Sequence, residues 1–465
     1  MMTQRRITVA SIFLVTCLLA FGVTYLLLRS TALATVAVAG FAGFIILFIE
    51  PFVGLVNYFL FLYIRPQDYV TGMIGKPIML IIGAATFALM VLHMAVQKRS
   101  IRLAWAPQNF LMLWFFAAVI MSRVAALYIP GVTEAAVEFL AIMMMYFLIA
   151  NLVSTPRRLG IVINLLVVLT IVLAAQGIVQ YFTGTGFGGQ ETYEGRIQAV
   201  GIFSDPNDLG LALVMVLPFV FLKLMERSKP WEKLFAFVGL SVLVYALYLT
   251  QSRGGLMAFG ALMMILFSRS MGKVLGYGIG GLAMLALFVL GPRMSTISTE
   301  EASAYGRIEA WGIGVDLFEQ FPLFGVGYGN FTEYHFRTAH NSFVLCMAEL
   351  GMFGFYAWSM LLYLSIKNAG HIANVFRRQK QHRLAVYVDT VRYSMIAYCL
   401  GAYWLSRTYS ELLFIMIGLT TAITHMFVST SDEKYVLVER KDFVYGFLMA
   451  VGAWLFTKVF LFMAW

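Results

Sequence analysis

Residues 160–182 read GIVINLLVVLTIVLAAQGIVQYF, an apolar stretch without a charged side chain. A helix needs roughly 20 such residues to cross a bilayer, because every backbone polar group must be paired inside the lipid. Similar apolar runs that predict further spans lie at 7–28, 77–96, 107–128, 134–152, 207–225, 233–250, 274–291, 341–366, 393–409, 411–427 and 443–464. Residues 31–64, broken at Glu50-Pro51, predict two more helices, and 254–268 one short crossing. The sequence therefore predicts an all-α, polytopic membrane protein with about 12–15 transmembrane helices.

The composition supports this prediction. Of the 465 residues, 61% are hydrophobic and only 12% are charged, with a mean hydropathy of +0.83. A soluble domain is about half apolar and about a quarter charged. The chain lacks the polar surface of a soluble enzyme, a disordered protein or a nucleic-acid binder, in spite of its net charge of +10.

The cysteines and the N-terminus add little chemistry. Cys17, Cys346 and Cys399 each lie inside an apolar run, so their spacing predicts neither a disulfide framework nor a zinc site. The first apolar run, 7–28, follows a basic start but is longer than the core of a cleaved signal peptide. We therefore expect a retained first helix.

The basic residues predict the orientation. With a cytoplasmic N-terminus, most of the 33 lysines and arginines fall on the cytoplasmic side, as the positive-inside rule requires. Three regions follow: N-terminal transmembrane helices at 1–182, a core at 183–366 with a long periplasmic loop at 292–340, and a basic cytoplasmic loop with the last helices at 367–465. The outside basic residues are nearly all arginine, whose planar fork binds phosphate, although a chance excess explains part of this bias equally well.

The periplasmic loop contains AYGRIEAWGIGVDLFEQFP, residues 304–322, with helical periodicity. One face of this helix is apolar and consists of Ile308, Trp311, Val315 and Phe318, and the acidic residues Glu309, Asp316 and Glu319 lie away from it. This pattern is typical of an amphipathic helix on the outer membrane surface, with Trp311 at the interface.

His340 lies where the periplasmic loop enters the next helix. It has two interpretations: a helix-entry residue beside the capping Asn341, or a general base, since imidazole titrates near neutral pH. Position alone favours the first. His340 and His335 without a matched acidic partner are weak evidence for a metal site, and we predict none.

Two arginines lie close to the outer boundary. Arg253, followed by Gly254-Gly255, either extends to the interface or faces a ligand. Arg196 precedes a helix start at which Ser204 or Asp205 can serve as the cap and Pro206 occupies the first turn. Capping explains Asp205 but leaves Arg196 without a role.

Together these segments resemble the Wzy/WaaL superfamily of O-antigen ligases and polysaccharide polymerases of the bacterial inner membrane. The resemblance covers roughly 190–360 and rests on Arg196 before GIFSDPN, then SRGG, YGRIEAW, FPLFGVGYGN, and AHNSF followed by ELG. The N-terminal part, with IRPQDY, is longer than in the smallest members, which leaves the subfamily open.

The resemblance implies an inverting glycosyltransferase at the periplasmic face that takes a glycan from undecaprenyl diphosphate and transfers it to a hydroxyl of a lipid or glycan acceptor. His340 would be the base and Arg253 and Arg196 would hold the diphosphate, all three as catalytic residues. Substrate contacts are implied for Arg307, His335, Arg337, Asn341, Asp205 and Asn207. No cofactor and no metal are implied. Membrane lipid and a protein that controls chain length are further partners, and nucleic acid is not one.

The sequence does not distinguish well between the enzyme classes that differ only in their acceptor. A ligase, a repeat-unit polymerase and a protein O-oligosaccharyltransferase use the same kind of donor, and we favour the ligase. A lipid or glycan transporter would place charges near the midplane and show paired halves, neither of which is visible. A cysteine-dependent intramembrane transpeptidase has little support, because the cysteines lie in spans away from His340.

Overall fold

The computed structural model describes residues 47–65, 78–97, 103–186, 189–199, 201–225, 229–289, 297–430 and 437–464. The predicted span at 7–28 and the first of the two at 31–64 lie outside the described residues. Within the described residues, 47–55 and 85–97 belong to a smaller compact unit and the rest to a larger one. In the smaller unit, the His93 Nδ1 atom lies 2.9 Å from the carbonyl oxygen of Phe48.

The described secondary structure is helical, apart from isolated bridges at Thr185–Glu191 and Tyr193–Arg196. The α-helices are α1 (Pro51–Ile64), α2 (Ile78–Gln97), α3 (Pro107–Ala125), α4 (Ile129–Leu152), α5 (Pro156–Thr183), α6 (Pro206–Met225), α7 (Pro230–Thr250), α8 (Arg253–Met271), α9 (Lys273–Val289), α10 (Ile297–Gln320), α11 (Phe331–Tyr334), α12 (Ser342–Arg378), α13 (His382–Ala402), α14 (Glu411–Thr430) and α15 (Arg440–Ala464). A short 3₁₀ turn, Gly201–Phe203, precedes α6.

Nine of the described helices are long and apolar enough to cross a membrane: α2, α3, α4, α5, α6, α7, α12, α14 and α15. The prediction of an all-α, polytopic membrane protein is thereby confirmed. The runs 254–268 and 274–291 form α8, with 19 residues, and α9, with 17 residues, and neither helix is among these nine. The predicted span 393–409 is displaced, because α13 ends at Ala402 and an irregular segment follows to Ser410.

The segment 367–392, predicted as a loop, is helical except for a turn at 379–381. Helix α12 runs on to Arg378, and α13 begins at His382. Across the turn, the Arg377 guanidinium forms an ion pair with Asp389, which ties the two helices together. The basic side chains thus lie on a helical hairpin and not on a loop.

Helix α10 buries the apolar face that the sequence predicted, but this face packs against other residues of the protein. Trp311 is only 2% exposed and packs with its ring centroid 5.5 Å from that of Tyr403 and 5.3 Å from that of Phe460. The expectation of a helix on the membrane surface with Trp311 at the interface is therefore wrong. Farther along α10, Gly314 lies against Val344, so this helix runs beside the first turns of α12.

After α10 the chain inserts into a break in α12. Gly351 has φ 59° and ψ −167°, and the helical bonds of the two following amides are replaced. The amides of Met352 and Phe353 donate to the carbonyls of Pro322 and Leu323 at 2.7 and 3.1 Å. In exchange, the carbonyls that a regular helix would have used accept from the loop: Val326 N donates to Ala348 O at 2.9 Å and Gly327 N to Glu349 O at 3.0 Å. The two amides and two carbonyls that lose their helical partners at the break are thus paired with the loop.

This exchange takes place well inside α12. At 1.5 Å per residue, Ala348 to Phe353 lie roughly 9–17 Å along the helix from its first residue. Irregular backbone at such depth is tolerated only where protein covers it. We therefore describe residues 321–330 as the re-entrant loop, which descends beside α12 and returns toward His340.

We expect Gly351→Ala to destabilise the protein by roughly 1–3 kcal/mol, the cost of backbone strain at one residue. An added Cβ would lie 2.4 Å from the Leu323 backbone, in a left-handed conformation that disfavours a side chain. Thermal unfolding of the purified protein in nanodiscs measures the effect.

Gly312→Ala is the matched control, because a Cβ at that helical glycine of α10 meets nothing within 4 Å. It should leave stability unchanged or raise it slightly. Equal melting temperatures for the wild type and Gly351→Ala would contradict the described break.

Candidate active site

His340 occupies the junction between the re-entrant region and α12. Its backbone is left-handed, with φ 50°, which is uncommon for a residue other than glycine. Asn341 then caps α12, its Oδ1 accepting from the amides of Phe343 at 2.9 Å and Val344 at 3.3 Å. The sequence analysis interpreted His340 and Asn341 as helix-entry residues, and the capping by Asn341 is confirmed. The His340 side chain itself is half-buried.

The segment 403–410 is fastened to this junction through Ser342. The Ser342 hydroxyl donates to the Leu405 carbonyl at 2.5 Å and accepts from the Arg407 amide at 2.7 Å. The backbone carbonyl oxygen of Ser342 accepts from the Thr408 hydroxyl at 2.8 Å. The first turn of α12 thus fixes Arg407, a residue that sequence reasoning left outside the site.

The environment of His340 favours the neutral imidazole. Burial lowers its pKa from 6.5 to about 4, and the positive charge of Arg307 contributes next. Asp205 opposes this shift, whereas Arg337 and Arg407 add to it. All four side chains therefore lie close enough to His340 to act on it electrostatically. At neutral pH the imidazole is therefore unprotonated and available as a base, although the burial and the guanidinium groups that keep it neutral also make it a weak base.

Arg253 and Arg307 line one pocket of about 190 Å³. The remaining lining is largely apolar and consists of Gly254, Met257, Ile308, Trp311, Trp404 and Phe460. Ser252 caps α8 by accepting from the Gly255 amide at 3.2 Å, so Arg253 is the first residue of a helix, where the helix dipole favours anions. Gly254 has a packing role, because a Cβ there would lie 2.8 Å from Trp404.

Arg196 is buried, with 5% of its surface exposed. Its Nε donates to the carbonyl of Thr250 at 2.8 Å, and its Nη2 donates to Asn207 Oδ1 at 3.0 Å. Arg196 therefore ties the end of α7, two residues before Ser252, to the start of α6. The resemblance implies a catalytic role for Arg196, which stays a prediction, and these hydrogen bonds show that the residue also holds neighbouring segments in place.

The start of α6 presents a further polar group. Asp205 accepts from the amide of Asn207 at 2.7 Å, which confirms the predicted capping. Asp208, which directly follows Asn207, forms an ion pair with Arg407. Sequence reasoning missed this pair, because its members lie almost 200 positions apart in unrelated motifs and no local signal links them.

His335 stabilises the segment between α11 and α12. It is 6% exposed, its Nδ1 lies 3.2 Å from the Arg337 amide nitrogen, and its Nε2 lies 3.9 Å from Glu309. The Arg337 guanidinium lies over the Phe336 ring, 5.1 Å from the centroid. His335 thus shapes the turn that carries Arg337 toward His340.

Glu349 is a third residue that the sequence analysis did not place in the site, after Arg407 and Asp208. It is buried in α12, where its carboxylate accepts from the Phe331 amide at 3.2 Å and from the Tyr409 hydroxyl at 2.8 Å. One side chain therefore holds both the start of α11, directly after the re-entrant loop, and residues 403–410. In the sequence, Glu349 is part of the ELG segment and is a carboxylate within an apolar run, which marks a polar role without naming its partners.

Among the described residues, no group of three His, Cys, Asp or Glu side chains is arranged to hold a metal ion. The predicted metal-independent chemistry stays a prediction. Of the predicted site residues, Arg307, Arg337 and Asp205 lie within electrostatic range of His340, and Arg253 shares a pocket with Arg307. Hydrogen bonds to the surrounding segments are made by Asn341, Asn207, Arg196 and His335.

Residues 235–359 match a family model described as O-antigen ligase, Wzy_C. The matched range contains Arg253, Arg307 and His340, whereas Arg196 and Asp205 precede it. No curated protein matches the chain. This match and the helical membrane architecture agree with the resemblance to the Wzy/WaaL superfamily: residues 235–359 are similar to an O-antigen ligase domain, which supports a glycosyl-transferring function of the ligase or polymerase type.

Proposed function

We propose that this protein transfers a glycan from undecaprenyl diphosphate to an acceptor hydroxyl, as an O-antigen ligase does, at the periplasmic face of the bacterial inner membrane. The observation that carries the proposal is the placement of a neutral imidazole, His340, beside Arg307, which shares a pocket with Arg253. A base next to two guanidinium groups suits a reaction that removes a proton and releases a diphosphate.

The proposed reaction is a single displacement. The acceptor oxygen attacks the anomeric carbon while its proton moves to His340, and the bond from that carbon to the diphosphate oxygen breaks. The lipid diphosphate leaves with additional negative charge, which Arg253 and Arg307 stabilise by forked hydrogen bonds. The result is inversion at the anomeric carbon, without a cofactor or metal.

The apolar walls of the pocket suit the lipid part of the donor. Met257, Trp311 and Phe460 lie beside the two arginines, so a diphosphate with an attached hydrocarbon chain meets charge and apolar surface together. A nucleotide-linked donor would gain nothing from this apolar lining. This arrangement supports a lipid-linked donor.

The other predicted residues act around this centre. Arg337 and Arg407 add positive potential near His340, and Asp205 moderates it. Arg196, Asn207 and His335 hold the segments that carry these groups. A repeat-unit polymerase is the second proposed function, because the donor side of the site suits both reactions and the acceptor distinguishes them.

A transporter is less well supported. Such a protein would place its ion and substrate contacts near the middle of its helices. Arg253 is instead the first residue of α8, and His340 precedes α12. The described site charges gather at helix ends.

The acceptor can be identified in a deletion strain. If the protein is a ligase, its loss should leave long polymer on undecaprenyl diphosphate and none on the final acceptor, as measured by separating lipid-linked and surface glycans. Complementation with wild-type protein is the control. Surface glycan reduced to single repeats would identify a polymerase, and unglycosylated proteins with normal surface glycan would contradict both assignments.

We expect His340→Asn to slow transfer by about 10²–10⁴, the usual contribution of a positioned general base. Asparagine tolerates the left-handed backbone at this position, so the fold should be kept. The rate is measured with purified protein, lipid-linked donor and acceptor in excess EDTA, in which the wild type should remain active.

The pH dependence of kcat/KM distinguishes a role of His340 in proton transfer from a role in packing alone. Because the pKa of His340 is lowered to about 4, the base form persists in mildly acidic solution, and kcat/KM of the wild type should fall only below about pH 5. His335→Ala, the control, should cost less and keep this profile. An active His340→Asn would leave His340 with a helix-entry role alone.

We expect Arg253→Lys to reduce transfer roughly 10–100-fold, since a hydrogen bond to a charged group contributes about 1.5–3 kcal/mol and lysine lacks the fork. Arg440→Lys is the matched control, because Arg440 also begins a helix but lies outside the pocket. Initial rates at saturating acceptor measure the effect. Equal rates for both variants would exclude forked recognition by Arg253.

A further inference from the structure

Three arginines from three helices come together at the end of α8 opposite to Arg253. Arg269 lies in the last turn of α8, Arg377 near the end of α12, and Arg392 in the middle of α13. Each acts electrostatically on at least one of the others. Arg253 and Arg269 are separated by roughly 24 Å along α8, at 1.5 Å per residue, so this arginine cluster is distinct from the candidate active site.

The cluster holds more positive charge than its carboxylate can balance. Asp389 pairs with Arg377. Within the described residues, Arg392 lies within electrostatic range of Arg269, no carboxylate is among the groups that act on it, and its buried Nε has no hydrogen-bond partner. Like charges in a partly buried position repel each other, and an anion of matching geometry would remove this cost.

The guanidinium groups are held in place. The Arg392 guanidinium lies against Gly370, where a Cβ would come within 2.8 Å of its Cζ, so the absence of a side chain makes room for it. The Arg269 guanidinium lies over the ring of Tyr393, 5.6 Å from the centroid. An arginine that merely extends toward water would not be clamped between helices in this way.

The position along the helices corresponds to a lipid headgroup. The apolar part of α12 ends near residue 366, and Gly370 lies about 12 Å before the end of that helix. The arginines are therefore level with the border of the apolar zone, while the α12–α13 hairpin extends beyond it. Basic pockets between transmembrane helices at this level bind phospholipid headgroups.

We propose that Arg269, Arg377 and Arg392 form a binding site for the phosphate headgroup of an anionic membrane phospholipid. Forked hydrogen bonds from two guanidinium groups would engage the phosphate oxygens, and the acyl chains would lie along the apolar helix surfaces. The site is independent of the glycosyl donor and of the proposed reaction.

The test uses the full-length protein in detergent, titrated with phosphatidylglycerol or phosphatidylcholine and followed by native mass spectrometry. We expect the wild type to bind phosphatidylglycerol at least tenfold more tightly than phosphatidylcholine. Arg269→Gln and Arg392→Gln should each abolish most of this preference. Arg269 is exposed, so its variant should fold even if Arg392→Gln does not.

Arg378→Gln is the matched control, because Arg378 is an exposed arginine on the same hairpin outside the cluster. It should keep the lipid preference. Equal loss in Arg378→Gln, or equal binding of the two lipids by the wild type, would overturn the proposal. Displacement of phosphatidylglycerol by millimolar inorganic phosphate would likewise overturn it in favour of a site for a free anion.

Discussion

The exchange of backbone hydrogen bonds at Gly351 is the constraint on which the site depends. A transmembrane helix normally satisfies its own polar groups, and here two amides and two carbonyls of α12 are satisfied by residues 322–327 instead. An unpaired group in such a place costs several kcal/mol in lipid, so the helix break and the re-entrant loop can exist only together. The loop in turn determines where the chain returns to His340.

Two side chains extend this coupling to the rest of the site. Glu349 joins the start of α11, directly after the re-entrant loop, to Tyr409, and Ser342 joins the start of α12 to Leu405 and Arg407. Irregular backbone is therefore anchored at both ends by residues of one long helix. The functional groups lie on loops, but their positions are fixed by a rigid element, as a site for group transfer requires.

The sequence predicted the helices well and their environment less well. Nine apolar runs correspond to described spans, because hydropathy measures the property that selects them. The amphipathic pattern around Trp311 correctly separated a buried face from an exposed one, but it could not distinguish a membrane surface from Tyr403 and Phe460. His340, Arg253 and Arg307 were found through short motifs. Arg407 and Asp208 were not, since an ion pair between distant segments leaves no local pattern.

The ion pair between Arg407 and Asp208 has a consequence for ligand selection. Before any substrate binds, this guanidinium already has a carboxylate partner, and 41% of its side-chain surface remains exposed. An incoming anion must therefore compete with the Asp208 carboxylate for Arg407. A singly charged or poorly oriented group gains too little to succeed, whereas a dense, multiply charged one can share or displace the carboxylate. A lipid headgroup whose charge density is too low to compete with Asp208 therefore leaves the Arg407–Asp208 ion pair intact.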